Sequence, residues 1–411
     1  MFCHKRKAFF AFVISVVLAA GLSGCGKSNE GGEASDSAEN TAEATSESQA
    51  TNTASGSESQ SRSTSASTST DDQAGANHSA AATLPEGGNA ENGKTDASSA
   101  DGKNTPEIDF ETIKPYEAGQ IMVIMYHGIV ENPTDQWQRS REDFRGDLQR
   151  LYDNGFRLVS MKELAENRIT TEAGFTPVVI TFDDGLPSEF TLTEENGKLT
   201  HDPQSGYGIM WDFYQENPDF GFEVTFFVNG DNNPFGGAGT IAERFNYIVE
   251  SGADIGNHTY SHVFLSDLNG GEIQEQLAKV DKMIKEAVPG YEPVGLAYPY
   301  GRHPKEEFKK YLSEGTFEGH SYKIDFALAV GQSGFPSVPN RNNFTAWDIP
   351  RVLGNELPNE PSDLGGQLRL YETNPEYRYI SDGNPDRICV PKDYEVNVNL
   401  DSLNGKELFV Y

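Results

Sequence analysis

Cysteine is nearly absent: the 411-residue chain has three, at positions 3, 25 and 389. Beyond residue 25 only Cys389 remains, so the bulk of the chain can make no internal disulfide and must hold by core packing. Large apolar residues are missing from a long early stretch. Between Lys27 and Thr83 there is no Leu, Ile, Val, Met, Phe, Tyr, Trp or Cys. Such a stretch cannot bury enough apolar area to offset chain entropy. Residues 25–107, rich in Ser, Thr, Ala and Glu, are therefore expected to form a disordered acidic tether. Positive charge is also scarce, with 32 Lys and Arg against 63 Asp and Glu, a net charge of −31. The first 25 residues carry +3 and residues 26–107 carry −10, which leaves −24 on residues 108–411. That excess excludes nucleic acid as an expected partner and suits a neutral or cationic polymer.

The leading segment has a basic start, His4-Lys5-Arg6-Lys7, and an apolar run from Ala8 to Leu22 that is too short to span a bilayer comfortably. Leu22-Ser23-Gly24-Cys25 follows and resembles a bacterial lipobox. The resemblance implies a lipoprotein signal peptide over residues 1–24, cleavage before Cys25 and acylation of its thiol. The plain alternative is a secretory signal with a chance cysteine. Under either reading the protein leaves the cytoplasm, and under the first it is lipid-anchored to the outer face of the cell membrane.

From residue 108 onward strand-like and helix-like stretches alternate. Ile121 to Tyr126, Phe156 to Val159, Val178 to Phe182, Val224 to Val228, Asp254 to Gly256, Val294 to Ala297 and Phe326 to Val330 read as strands. Ser140 and Ser160 read as helix caps, Thr240 to Ser251 as a helix closed by Gly252, and Ile273, Leu277, Val280 and Ile284 mark a long amphipathic helix. Alternation of this kind implies an α/β fold with a parallel sheet and right-handed crossovers, closed or nearly closed into a barrel over residues 108–355. Residues 356–411 read as a β-rich extension, with a hairpin from Tyr379–Gly383 to Arg387–Val390 and a last strand at Leu408–Tyr411. Residues 187–218 contain the hairpin signal Glu195-Asn196-Gly197-Lys198 and are expected to form a hairpin and helix over the cleft, or else a surface decoration.

Chemistry-bearing residues collect at the strand ends. Thr181-Phe182-Asp183-Asp184-Gly185 closes an apolar strand, and two adjacent carboxylates are costly unless a cation or a proton compensates them. By itself the motif reads equally well as a strand end with an Asp-Gly turn. His258-Thr259-Tyr260-Ser261-His262 follows another strand and puts two imidazoles on one face of a turn, which suits metal chelation. Alone, such a pair is more often two surface or capping histidines. One carboxylate and two imidazoles form a common set for catalytic zinc and leave the second carboxylate free to act as a base. Leu296-Ala297-Tyr298-Pro299-Tyr300-Gly301 closes a third strand. It could aim a backbone N–H at a developing oxyanion, or simply turn the chain.

Three such motifs in this order resemble the polysaccharide deacetylase family, the NodB-homology domain of carbohydrate esterase family 4. Met125-Tyr126-His127-Gly128 is similar to the first strand of the branch that deacetylates poly-N-acetylglucosamine. The resemblance covers roughly residues 118 to 355 and implies an irregular (β/α) barrel of about seven strands. It implies Asp183 as general base, Asp184, His258 and His262 as metal ligands, an oxyanion N–H from Tyr300, and substrate contacts from Tyr298 and Tyr300. Arg351, in Ile349-Pro350-Arg351-Val352, is similar to a late Pro-Arg element that would neutralise charge near Asp183. Two departures stand out. Ala297 occupies the position where many members have an Arg that orients the base, and no late Leu-x-His supplies a general acid.

The resemblance implies metal-dependent removal of N-acetyl groups from a polysaccharide containing N-acetylglucosamine, with release of acetate. It calls for one divalent ion, zinc first and cobalt or nickel as substitutes, in a monomer. Two alternatives stay open: an esterase acting on O-acetylated polymer, and a non-catalytic glycan-binding lipoprotein.

Overall fold

The structure is a computed structural model that describes residues 108–330 and 338–411. The expected signal peptide, Cys25 and the expected tether lie outside the described residues.

Seven short parallel strands form the central ring. They are β1 (Met122–Tyr126), β3 (Thr176–Asp184), β4 (Thr225–Val228), β5 (Asp254–Asn257), β6 (Leu296–Ala297), β7 (Ala327–Leu328) and β8 (Val352–Leu353). An eighth strand, β2 (Phe156–Leu158), pairs with the lower half of β3, while β4 pairs with its upper half. The ring is closed by residues 349–353. Leu328 bridges Ile349 in parallel, and three residues later Val352 and Leu353 pair with Ile124 and Met125 of β1. This is the closed barrel that the alternation of elements implies, in the irregular (β/α) form of about seven strands that the resemblance implies.

Alternation along each strand sorts the core into two layers. Val123, Val179, Phe227, Ala297, Leu328 and Ile349 share one buried cluster inside the barrel. Ile124, Ile180, Phe182, Phe226 and Ile255 pack outward in a second cluster under the helices. Those helices are α1 (Arg141–Asp153), α3 (Gly206–Glu216), α4 (Ile241–Glu250), α5 (Gly270–Ala287) and α6 (Leu364–Thr373), whereas α2 (Met161–Ala165) packs Met161 and Leu164 on the inner cluster. Capping boxes at Ser160 with Glu163, Thr240 with Glu243 and Asn269 with Glu272 start α2, α4 and α5. At Gly256 a Cβ would meet the Val294 carbonyl oxygen at 2.4 Å, so only glycine lets β5 approach its neighbour.

Two expectations need correction. Residues 187–218 do contain a hairpin, Leu192–Glu195 with Lys198–His201, turning at Asn196 and Gly197 with φ of 53° and 75°. It is not a lid. Leu192 bridges Gly237 and His201 Nδ1 meets the Tyr247 hydroxyl at 2.9 Å, so the hairpin lies against the entry to α4. The helix that follows is α3, the crossover between β3 and β4.

The extension is less β-rich than its composition implies. It holds the ten-residue α6, and Arg387–Val390 pairs in parallel with Glu407–Val410 rather than in a hairpin with Tyr379–Gly383. Ile380 instead bridges Tyr116. Among the described residues no helix is long and apolar enough to cross a membrane.

Candidate active site

β3 delivers the two aspartates to the rim of the barrel. The pleat points Asp183 inward with Val179 and Thr181. Asp184 has φ +86°, a conformation that is costly for a residue with a side chain. Gly185 follows at φ +67° and turns the chain away. Three more non-glycine residues at this rim also have positive φ: Thr259 (63°), His262 (47°) and Tyr300 (57°). Strained backbone of this kind persists only where its surroundings hold it, and it gathers at functional sites.

The 258–262 turn is held by side-chain amides. Asn229 donates to the carbonyls of His258 (2.7 Å) and Thr259 (3.2 Å). Asn257 donates to Leu277 O and accepts from the Thr259 N–H, both at 2.9 Å. His258 Nδ1 is 2.9 Å from the Ala297 carbonyl, which can only accept, so Nδ1 carries the proton and Nε2 presents its lone pair. His262 Nδ1 is 3.1 Å from the Tyr300 hydroxyl. Both Nε2 atoms lie 3.4 Å from Asp184 Oδ1.

That oxygen is buried, and no hydrogen bond reaches it. The three ligand atoms of Asp184, His258 and His262 lie within 4.8 Å of one another. An orphaned carboxylate oxygen between two imidazole nitrogens fits a divalent cation, and this donor set suits zinc.

Asp183 Oδ2 lies 3.9 Å from His258 Nε2, but the carboxylate has a partner of its own. Arg351 donates from Nη1 to Oδ1 (2.7 Å) and from Nη2 to Oδ2 (2.6 Å), a fork-to-fork pair in which both side chains are buried. Arg351 Nε is in turn fixed by the Ala329 carbonyl at 2.6 Å. Burial pushes the Asp183 carboxyl up, but the Arg351 guanidinium overrides it and holds the group far below the usual carboxylate range. With Ala297 in place of an arginine, the guanidinium comes instead from the segment that closes the barrel.

His127, at the end of β1, lines the same cavity of about 290 Å³ as Asp183, Asp184, His258, His262, Trp137 and Tyr300. Its Nδ1 is buried and unpartnered, and burial lowers its pKa below the ordinary histidine value. Sequence reasoning placed His127 in a motif and gave it no role. Its position at a strand end was the available signal. His303 and His320 are outside the cavity, paired with Asp348 (3.1 Å) and Asp281 (2.7 Å).

The two tyrosines part company. Tyr300 is 53% exposed at the rim, its ring 4.5 Å from that of His262. Tyr298 is 1% exposed, packs with Leu296 in a cluster under α5, and donates to the Trp347 carbonyl at 3.1 Å. The expected substrate contact from Tyr298 is therefore corrected: strand alternation turns it away from the barrel interior.

Residues 171–316 match the family model for polysaccharide deacetylase. A peptidoglycan-N-acetylglucosamine deacetylase of Bacillus cereus is 30% identical over 200 residues, 47% of this chain and 58% of that protein. A chitin deacetylase of Arthroderma benhamiae is 31% identical over 123 residues, 30% of this chain and 27% of that one. Among solved structures, the Streptococcus pyogenes deacetylase PplD superposes with a TM-score of 0.45 at 17% identity, over 61% of this chain and 98% of that chain. The chain spans less than two thirds of the length of these curated relatives. What the comparisons show is a polysaccharide deacetylase match over residues 171–316, with relatives named as deacetylases resembling part of the chain.

Proposed function

We propose that this protein hydrolyses N-acetyl groups on a polysaccharide containing N-acetylglucosamine, poly-N-acetylglucosamine or cell-wall glycan, and releases acetate. The convergence of Asp184 Oδ1 with two imidazole Nε2 atoms beside an arginine-locked Asp183, in one open cavity, carries this reading. Asp184, His258 and His262 would hold one divalent ion, zinc or in its place cobalt or nickel. Bound there, such an ion polarises a carbonyl and lowers the pKa of water toward ~7.

Asp183 then takes a proton from the attacking water. A base works best with a pKa near the operating pH, and Arg351 holds Asp183 well below that. The lock has a compensating effect: Asp183 is ionised and fixed in one orientation whenever substrate arrives. His127 is the proton donor to the leaving amine, since its Nδ1 has no protein partner and its ring borders the cavity. Burial keeps the ring neutral at rest, so the proton it delivers is the one that Asp183 takes from the attacking water and passes on. The Tyr300 backbone N–H, at the rim, serves the oxyanion. Cys25 carries the membrane anchor, and residues 25–107 tether the domain to it.

The test is acetate release from N-acetylated and from O-acetylated oligosaccharides. Release from the N-acetylated set is expected. Release from esters alone would make the protein an O-acetyl esterase, and release from neither would leave a glycan binder.

A further inference from the structure

We propose that Glu189 is a positioning residue for the metal ligand Asp184, and that it acts from behind the site as an uncharged acid. This inference rests on the metal site proposed above and not on the choice of substrate. Glu189 follows Asp184 by five residues and is fully buried. Among the described residues neither of its carboxyl oxygens has a hydrogen-bond partner of ordinary geometry. An interior carboxylate stays charged only where a cation or several N–H groups compensate it. The charges that act most on Glu189 are instead two more carboxylates, Asp184 first and then Asp183. Burial and those two charges push its pKa well above the ordinary value, against a weaker pull from the N–H groups of Leu186 and Gly185. Three carboxyl groups thus gather at one end of β3, and each is accommodated differently. Asp183 has Arg351, Asp184 faces two imidazoles, and Glu189 keeps its proton.

The chain between Asp184 and Glu189 folds back tightly. Gly185 has φ +67°, and its carbonyl accepts from the Phe235 N–H at 2.7 Å. The Glu189 N–H donates to the Leu186 carbonyl at 3.0 Å, and the Glu189 carbonyl accepts from the Tyr207 N–H at 2.8 Å. Leu186 lines the reaction cavity. This fold-back brings the Glu189 carboxyl near the N–H groups of Gly185 and Leu186, the first two residues after Asp184. An acceptor behind that turn steadies it, and with it the φ of +86° that aims Asp184 Oδ1 at both imidazoles. An uncharged carboxyl can accept through its C=O oxygen without adding a third negative charge to the aspartate pair.

Packing gives no reason for an acid here. Phe190 and Leu192, just along the chain, belong to the outward core cluster, as does Phe235. A leucine at position 189 would join that core without the cost of desolvating a carboxyl.

The experiment compares the whole protein with Glu189→Leu and Glu189→Gln, each stripped of metal and reloaded. Chelator competition measures zinc affinity, the visible spectrum after cobalt loading reports ligand geometry, and thermal unfolding of the metal-free protein reports the fold. Glu189→Leu is expected to bind zinc about tenfold more weakly and to change the cobalt spectrum, with a metal-free Tm no lower than that of wild type. Glu189→Gln, whose amide oxygen accepts in the same place without charge, is expected to restore both affinity and spectrum. Native affinity and spectrum in Glu189→Leu would overturn the inference. A lower Tm or loss of folding in that variant would also overturn it, because the residue would then be merely structural. Failure of Glu189→Gln to rescue would show that the charged form is required, and would overturn it too. Wild type that binds no zinc would remove the metal site itself and this inference with it, whereas a zinc-binding wild type beside an unaffected Glu189→Leu would remove this inference alone.

Discussion

At the scale of single residues the site depends on giving two neighbouring carboxylates different partners. Asp183 receives a guanidinium, and Asp184, turned by its φ of +86°, faces two imidazoles. Both aspartates and both histidines were legible as residues, because each pair ends an apolar strand. The lock on Asp183 was legible only through the family resemblance that singles out Arg351; no local pattern shows it, since Arg351 is 168 residues away and only ring closure brings it near. The contact that the resemblance implies for Tyr298 fails for a local reason: Tyr298 shares the outward face with Leu296, while Ala297 between them faces the barrel interior. Arg351→Met tests the lock. Removing one partner of a buried pair leaves the other uncompensated, which costs about 3–5 kcal/mol. Asp183 would then take up a proton, and rate should fall ~10²–10⁴-fold as the base is lost. Denaturant unfolding and acetate release check both effects. An equally stable, fully active Arg351→Met would show that the pair does neither job.

At the scale of elements, local signals read well and pairings across distance did not. The capped helices and the Asn196-Gly197 hairpin turn follow from a few adjacent residues. The closing strand β8 is two residues long and carries no periodicity, and the parallel pairing of Arg387–Val390 with Glu407–Val410 leaves no local trace. What docks that small sheet is Glu117, buried beside β1. Its carboxylate accepts from the Asp382 N–H at 3.1 Å and the Cys389 N–H at 2.8 Å. Burial, reinforced by the neighbouring Asp382 carboxylate, pushes its pKa up to about 8 from an ordinary value of 4.5. Between those limits the folded protein keeps a proton that the unfolded chain has released. Stability is therefore fullest below about 4.5 and declines as pH rises toward about 8. Glu117→Gln should be less stable throughout, because its NH₂ cannot accept from one of the two N–H groups, and its Tm should fall less steeply between pH 5 and pH 8. Parallel slopes for wild type and variant would remove Glu117 as the cause.

At the scale of the whole molecule, the charge of −24 on residues 108–411 fits a substrate that gains positive charge as amines are freed. Composition made that balance legible, along with the scarcity of disulfides. It carried no information on where the chemistry sits. The cavity exists because the barrel brings together β1, β3, the turns after β5 and β6, and the closing segment, none of them adjacent in sequence. The central claim is that this assembly holds one metal ion through Asp184 while Asp183 stays outside the coordination set. Elemental analysis of purified wild type, Asp183→Asn and Asp184→Asn measures it most directly. The account predicts about one divalent ion per chain in wild type and in Asp183→Asn, and a marked loss in Asp184→Asn, where a charged ligand becomes a neutral amide. Equal metal loss in both variants, or full metal content in Asp184→Asn, would contradict it.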